Sequence, residues 1–136
     1  MNKQAQSIVN PIAKSPVKNL IGSVFIPVYD IEKARSWYCH VLGLQEADHP
    51  IMNDHLCPLT MQGSTGIILD TMPMWGGLEP EGAPPIQTPA LMLITDDLQA
   101  SFNYMKELGV EIVTEIQDQQ WFVVKDPDGN KLMICK

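Results

Sequence analysis

Two stretches of this 136-residue chain follow one plan, and that repetition limits the fold more than any other feature. VYDIEKARSWYCHVLGL begins at Val28, and TDDLQASFNYMKELGV begins at Thr95. Each carries an aspartate, Asp30 or Asp97, whose carboxylate can accept from the free N–H groups of a helix's first turn. After Asp30, the apolar positions Ile31, Ala34, Tyr38, Val41 and Leu42 recur at three and four, which predicts a helix over 31–42. After Asp97, Leu98, Ser101, Phe102, Met105 and Leu108 form a second stripe. Gly43 and Gly109 close the two stretches, the residue type that most readily takes the left-handed conformation ending a helix. The copies lie 66 to 67 positions apart. Two copies at so long a spacing describe a duplicated module and not a solenoid.

Strand signals surround both helices in the same order. Asn19–Val28 precedes the first, with Val24, Ile26 and Val28 on one face and Ser23, Phe25 and Pro27 on the other. Pro27 cannot donate to a ladder, so it belongs near a strand end or an edge. Leu44–Ala47, Leu56–Met61 and Gly66–Asp70 follow, the last two separated by the turn GSTG at 63–66. In the second copy Ala90–Thr95 precedes the helix, and Val110–Ile116, Gln120–Lys125 and Leu132–Cys135 follow it. The turn DPDG at 126–129 leads into the last strand, where Met133 and Cys135 share one face and Leu132 and Ile134 the other.

One helix for four strands covers only one face of each sheet. The expected fold is therefore α+β: two tandem βαβββ modules whose curved mixed sheets enclose a cleft. Module one spans 19–71 and module two 90–136, in one domain over 19–136. Between them, five prolines and three glycines within 71–89 forbid regular structure. This connector, 72–89, leaves Trp75 free to fold over the cleft as a lid. Residues 1–18 are polar, with prolines at 11 and 16, and read as a loosely docked N-terminal extension.

Composition narrows the partners. The net charge is −7, and nine Lys and Arg are scattered along the chain. Nucleic acid and anionic membrane surfaces need clustered cations, so neither is expected. No apolar run approaches a membrane span, and the N-terminus lacks the apolar centre of a signal peptide. Three widely spaced cysteines, Cys39, Cys57 and Cys135, suit neither a disulfide framework nor a zinc ribbon and point to a reducing cytoplasm.

FIPVYDIEKARSWYCHVLGL, then DDLQASFNYMKELGVEI, then FVVKDPDGNKLMICK resemble the vicinal oxygen chelate superfamily over about residues 20–136. Its members include glyoxalase I, extradiol dioxygenases and bleomycin-resistance proteins. The resemblance implies two metal ligands per module, one from its first strand and one from its last. Those positions fall on Ser23, near Ile68, on Ala90 and on Met133, with Asp70 two residues beyond Ile68 on the same face. Serine, isoleucine, alanine and methionine are not ligands for a hard or borderline divalent ion. No cofactor is therefore expected, and a protein of this kind is expected to bind a small apolar or aromatic molecule without metal. The residues expected to form that site are Ser23, Phe25, Asp70, Trp75, Met92, Trp121, Met133 and Cys135. The same Met and aromatic side chains could instead fill the cleft as core, leaving a structural or regulatory relic. A third reading is a metal-dependent lyase or dioxygenase with displaced ligands, Asp70 and the His49/His55 loop. His49 and His55 otherwise read as solvated loop residues, His40 as a surface histidine and Asp70 as a strand-end carboxylate in water. The resemblance further implies a homodimer.

Overall fold

The computed structural model describes residues 15–73 and 84–136. Trp75, and with it the expected lid, lies outside the described residues. In module one, β1 (Ser23–Pro27) runs into α1 (Ile31–Leu42), followed by a 3-10 turn (Glu46–Asp48), β2 (Leu56–Leu59) and β3 (Gly66–Asp70). In module two, β4 (Met92–Ile94) leads to α2 (Leu98–Glu107), then β5 (Glu111–Ile112), β6 (Trp121–Lys125) and β7 (Lys131–Cys135). The strand orders are β1-β3-β2 and β4-β7-β6-β5. In both sheets the first strand lies parallel to the last, β1 on β3 and β4 on β7, and the remaining pairs are antiparallel.

The helix signals act as their chemistry predicts. Asp30 Oδ1 accepts from Lys33 N at 3.1 Å, and Asp97 Oδ1 from Ala100 N at 3.0 Å. Gly43 adopts φ 70°, and the chain then returns a bond from Leu44 N to Cys39 O at 2.8 Å. Period-two alternation sets the sheet faces. Ile26, Leu69, Cys57, Phe122, Val124 and Leu132 are fully buried and form one continuous core with the helix stripes. Within it Phe102 of α2 meets Phe122 edge-on, with ring centroids 5.2 Å apart. Leu132 and Ile134 face this core, and Met133 and Cys135 the other side, as the alternation predicts.

Two expected strands differ. Leu44–Ala47 forms no strand; Asp48 N bonds to Gln45 O and His49 N to Glu46 O, so local turns use the donors a ladder would need. The expected Val110–Ile116 strand shrinks to Glu111–Ile112. Val113 N and Thr114 N both reach Val123 O, at 2.8 and 3.2 Å. Two residues opposing one is a bulge, and it ends regular pairing there.

The turn between β6 and β7 joins the modules. Asp126 is buried, and its Oδ2 accepts from Tyr38 Oη at 2.6 Å and Asn130 Nδ2 at 2.8 Å. Its Oδ1 accepts the backbone N–H groups of Asp128 and Asn130, both at 2.9 Å. Asn130 Nδ2 also donates to Pro27 O at 2.8 Å, and Tyr29 N donates to Asp128 Oδ1 at 2.9 Å. Gly129, at φ 91°, lets the turn close. Burial, reinforced by the Asp126 carboxylate, raises the Tyr38 pKa far above the ordinary phenol range. Its hydroxyl therefore stays a donor.

Asp128 supplies a pH test of this joint. Burial raises its pKa, and the neighbouring Asp126 charge adds to the effect, while the Tyr29 N–H and Lys33 oppose it. A raised carboxylate pKa means that the charged form costs folding stability above the folded-state pKa. That cost disappears below the unfolded-state pKa, where both states are protonated. Asp128→Asn keeps an oxygen for Tyr29 N–H and removes the charge. It is expected to stabilise the protein near neutral pH by less than about 1 kcal/mol, because the group is partly exposed. The gain should fade as pH drops through the acidic range. Urea titrations at neutral and acidic pH measure it, and a gain that grows on acidification would contradict the assignment.

Candidate functional site

The core-averted faces of the two sheets carry the residues that the sequence singles out. On sheet one, Ser23 lies opposite Gly66, Phe25 opposite Ile68 and Pro27 opposite Asp70. On sheet two, Met92 lies opposite Met133 and Ile94 opposite Cys135, and across the next ladder Trp121 faces Cys135. Direct partners in a ladder point to the same side of a sheet. Met92, Met133, Cys135 and Trp121 therefore share one surface, and Ser23, Phe25, Ile68 and Asp70 share another. Phe25 is 57% exposed, Met92 53% and Ile94 73%.

The last-strand positions Ile68 and Met133 thus face Phe25 and Met92, each two residues beyond Ser23 and Ala90. Ala90 itself precedes β4 and donates its N–H to Lys131 O at 2.7 Å. Whichever first-strand residue is taken, these positions hold serine, alanine and apolar side chains. Such a donor set does not fit a divalent ion. Among the described residues, no group of three or more His, Cys, Asp or Glu could hold a metal.

Asp70 is 5% exposed, not a water-facing strand end. Its Oδ1 accepts from Met72 N at 2.7 Å, so the carboxylate caps the chain as it leaves β3. His49 is likewise buried, at 4% exposure, where a solvated loop residue was expected. The 3-10 turn folds it inward, with its Nδ1 hydrogen-bonded to Gln45 O at 2.7 Å. Arg35 and the Cys57 thiol both donate to its carbonyl. Its Nε2 has no partner, but no further ligand-type cluster surrounds it. His40 and His55 bond locally, to Ser36 O and Asn53 O, each at 2.7 Å. Burial raises the pKa of the Cys39 and Cys57 thiols, so neither is an activated nucleophile. Cys135 is half-buried, and its thiol donates to Lys136 O at 3.5 Å.

One feature escaped the sequence. A cavity of about 540 Å³ opens between the modules, where β1 and β4 each leave one edge unpaired among the described residues. Val24 and Ile67 bound it on one side, Leu91–Thr95 on the other, and Met61 and Gln62 of the β2–β3 turn close an end. Its volume suits a small organic molecule. Of the expected site residues only Met92 lines it. Nothing in the sequence pattern fixes the gap between two strand edges, so periodicity could not reveal it.

The Glyoxalase/Bleomycin resistance protein/Dioxygenase superfamily model matches residues 20–134. The chain belongs to this superfamily. No curated protein matches the sequence significantly. Solved structures share the glyoxalase fold at low identity. TnmS3, an antibiotic binding protein from Streptomyces sp. CB03234, superposes with a TM-score of 0.65 at 23% identity, covering 90% of this chain and 98% of that one. A glyoxalase superfamily member from Sphaerobacter thermophilus gives 0.64 at 24% identity, covering 85% and 95%. A virulence protein from Salmonella typhimurium gives 0.62 at 22%, covering 87% and 96%. Among the described residues of this superfamily member, no helix is long and apolar enough to cross a membrane.

Proposed function

We propose that this glyoxalase superfamily member binds a small apolar or aromatic molecule in its cleft, without a divalent metal, and that it does so as a homodimer. The observation that carries the reading is the apolar register at the fold's first- and last-strand positions, Phe25 opposite Ile68 and Met92 opposite Met133, with Met92 also lining the cavity between the modules. Soft thioethers and an aromatic ring adapt to a flat hydrophobic ligand and offer nothing to a hard cation. Trp121 and Cys135 extend the same surface, and Ser23 and Asp70 stand at the two ends of the other. The antibiotic-binding activity in the name of TnmS3 is in keeping with this class of ligand. The exposure of Phe25, Met92 and Ile94 in a single chain supports a second copy as their cover.

A thermal-shift screen of aromatic antibiotics and hydrophobic metabolites tests the reading. A ligand present at a hundredfold excess over its Kd adds about 2.7 kcal/mol to stability. The shift is expected to vanish in Met133→Glu, which places a charge on the apolar face. An unchanged shift in that variant would remove the cleft from the account. Protein purified without chelator is expected to carry no stoichiometric divalent metal. Stoichiometric zinc, iron, manganese or nickel that disappears in Asp70→Ala would replace this reading with a metal-dependent one.

A further inference from the structure

A second, smaller cavity lies against α1 and shares no lining residue with the first. It holds about 420 Å³ between α1, the segment that follows α2, and the Asp126–Asn130 turn. Val41, Leu108 and Val110 make an apolar floor, and Trp37 and Pro127 supply two flat walls. Leu108 is 42% exposed although it is a large aliphatic residue. The charged and titratable side chains at the rim are Lys33 and His40, both basic types, on a chain whose net charge is −7. Neither makes an ion pair among the described residues. His40 Nδ1 is already hydrogen-bonded to Ser36 O, which leaves Nε2 directed to other partners. Tyr104 Oη donates to His40 O at 2.6 Å and ties α2 to this end of α1. The two rim residues sit seven positions apart, about 10 Å along the helix axis.

We propose that this groove is a second ligand site, for an elongated dianion with a flat apolar middle, such as an aromatic dicarboxylate. The middle lies on the Val41–Leu108–Val110 floor between Trp37 and Pro127. One acid group meets the Lys33 ammonium, and the other meets His40 Nε2, the ring nitrogen left over by the Ser36 bond at Nδ1. Lys33 also lies close enough to Asp128 to help hold that carboxylate charged, so the ligand competes with it for the ammonium. This site is independent of the cleft reading, because no residue is shared between them.

Naphthalene-2,6-dicarboxylate, 2-naphthoate and neutral naphthalene test the idea by heteronuclear NMR titration of the full chain. The dicarboxylate is expected to shift the amides of 33–41, 108–110 and 127. It should bind about tenfold more tightly than the monoacid, as expected for one added charge-assisted contact. Leu108→Glu should abolish the shifts and Lys33→Met should reduce the dicarboxylate to the affinity of the monoacid, each leaving the amides of β4, β6 and β7 where they are in the wild type. Equal affinity for the neutral ring, shifts confined to the Phe25 and Met133 faces, or binding unaltered in both variants would overturn the assignment.

Discussion

Asp126→Ala is expected to cost on the order of 3–5 kcal/mol of unfolding free energy, the range for breaking a buried charged network. The carboxylate accepts four hydrogen bonds, two from side chains and two from the backbone. Alanine leaves the Tyr38 hydroxyl, one Asn130 amide donor and two backbone N–H groups without their acceptor. Buried donors stripped of a partner cost about 1–3 kcal/mol each when nothing replaces it, and water entering the space recovers part of that loss. A domain with 5–15 kcal/mol in total would lose a large fraction of its stability. Tyr38→Phe removes one donor and leaves Asp126 three others, so its cost should stay near ~1–2 kcal/mol. Urea denaturation of both variants and of the double variant measures the coupling. An Asp126→Ala cost below that of Tyr38→Phe would show that the turn is not what holds the modules together.

The other large effect is expected at Phe25. This ring stands on the core-averted face of β1, more than half exposed, beside Ile68. If a second copy covers it, it is the type of aromatic anchor that dominates an interface, and truncation or charge there costs ~2 kcal/mol or more, about thirtyfold in association. Phe25→Asp should therefore shift the mass measured by light scattering from dimer to monomer over a dilution series. The fold of each chain should persist, because the ring contributes little to the core behind Ile26. A wild-type protein that is monomeric at every concentration, or a variant that stays dimeric, would reject this role for the face.

The sequence was most informative where one local rule decides the outcome. Asp30 and Asp97 cap helices because a short carboxylate reaches the N–H three residues on, whatever the tertiary context. The alternation in KLMIC predicted which side of β7 is buried because a strand has only two faces. Leu44–Ala47 failed because a strand also needs a neighbour, and the bonds at Asp48 and His49 had closed locally. The β5 bulge, the inward turn of His49 and the burial of Asp70 depend on contacts between segments far apart in sequence. The candidate site was less legible, since only Met92 of the expected residues lines the cavity. Its apolar character follows from residue types, but the gap between the β1 and β4 edges belongs to the packing of two modules.

The turn at Asp126–Asn130 also bears on how the chain is made. Tyr38 and Asp126 are 88 positions apart, and Pro27 and Asn130 are 103. A nascent chain emerging from the ribosome therefore presents a first helix whose Tyr38 phenol lacks its acceptor until Asp126 has been synthesised. Contacts of such long separation slow folding, since the connecting loop must be ordered before they contribute. The first module alone would be an incomplete body, and a split of the gene in the connector should give two fragments that acquire native structure only together.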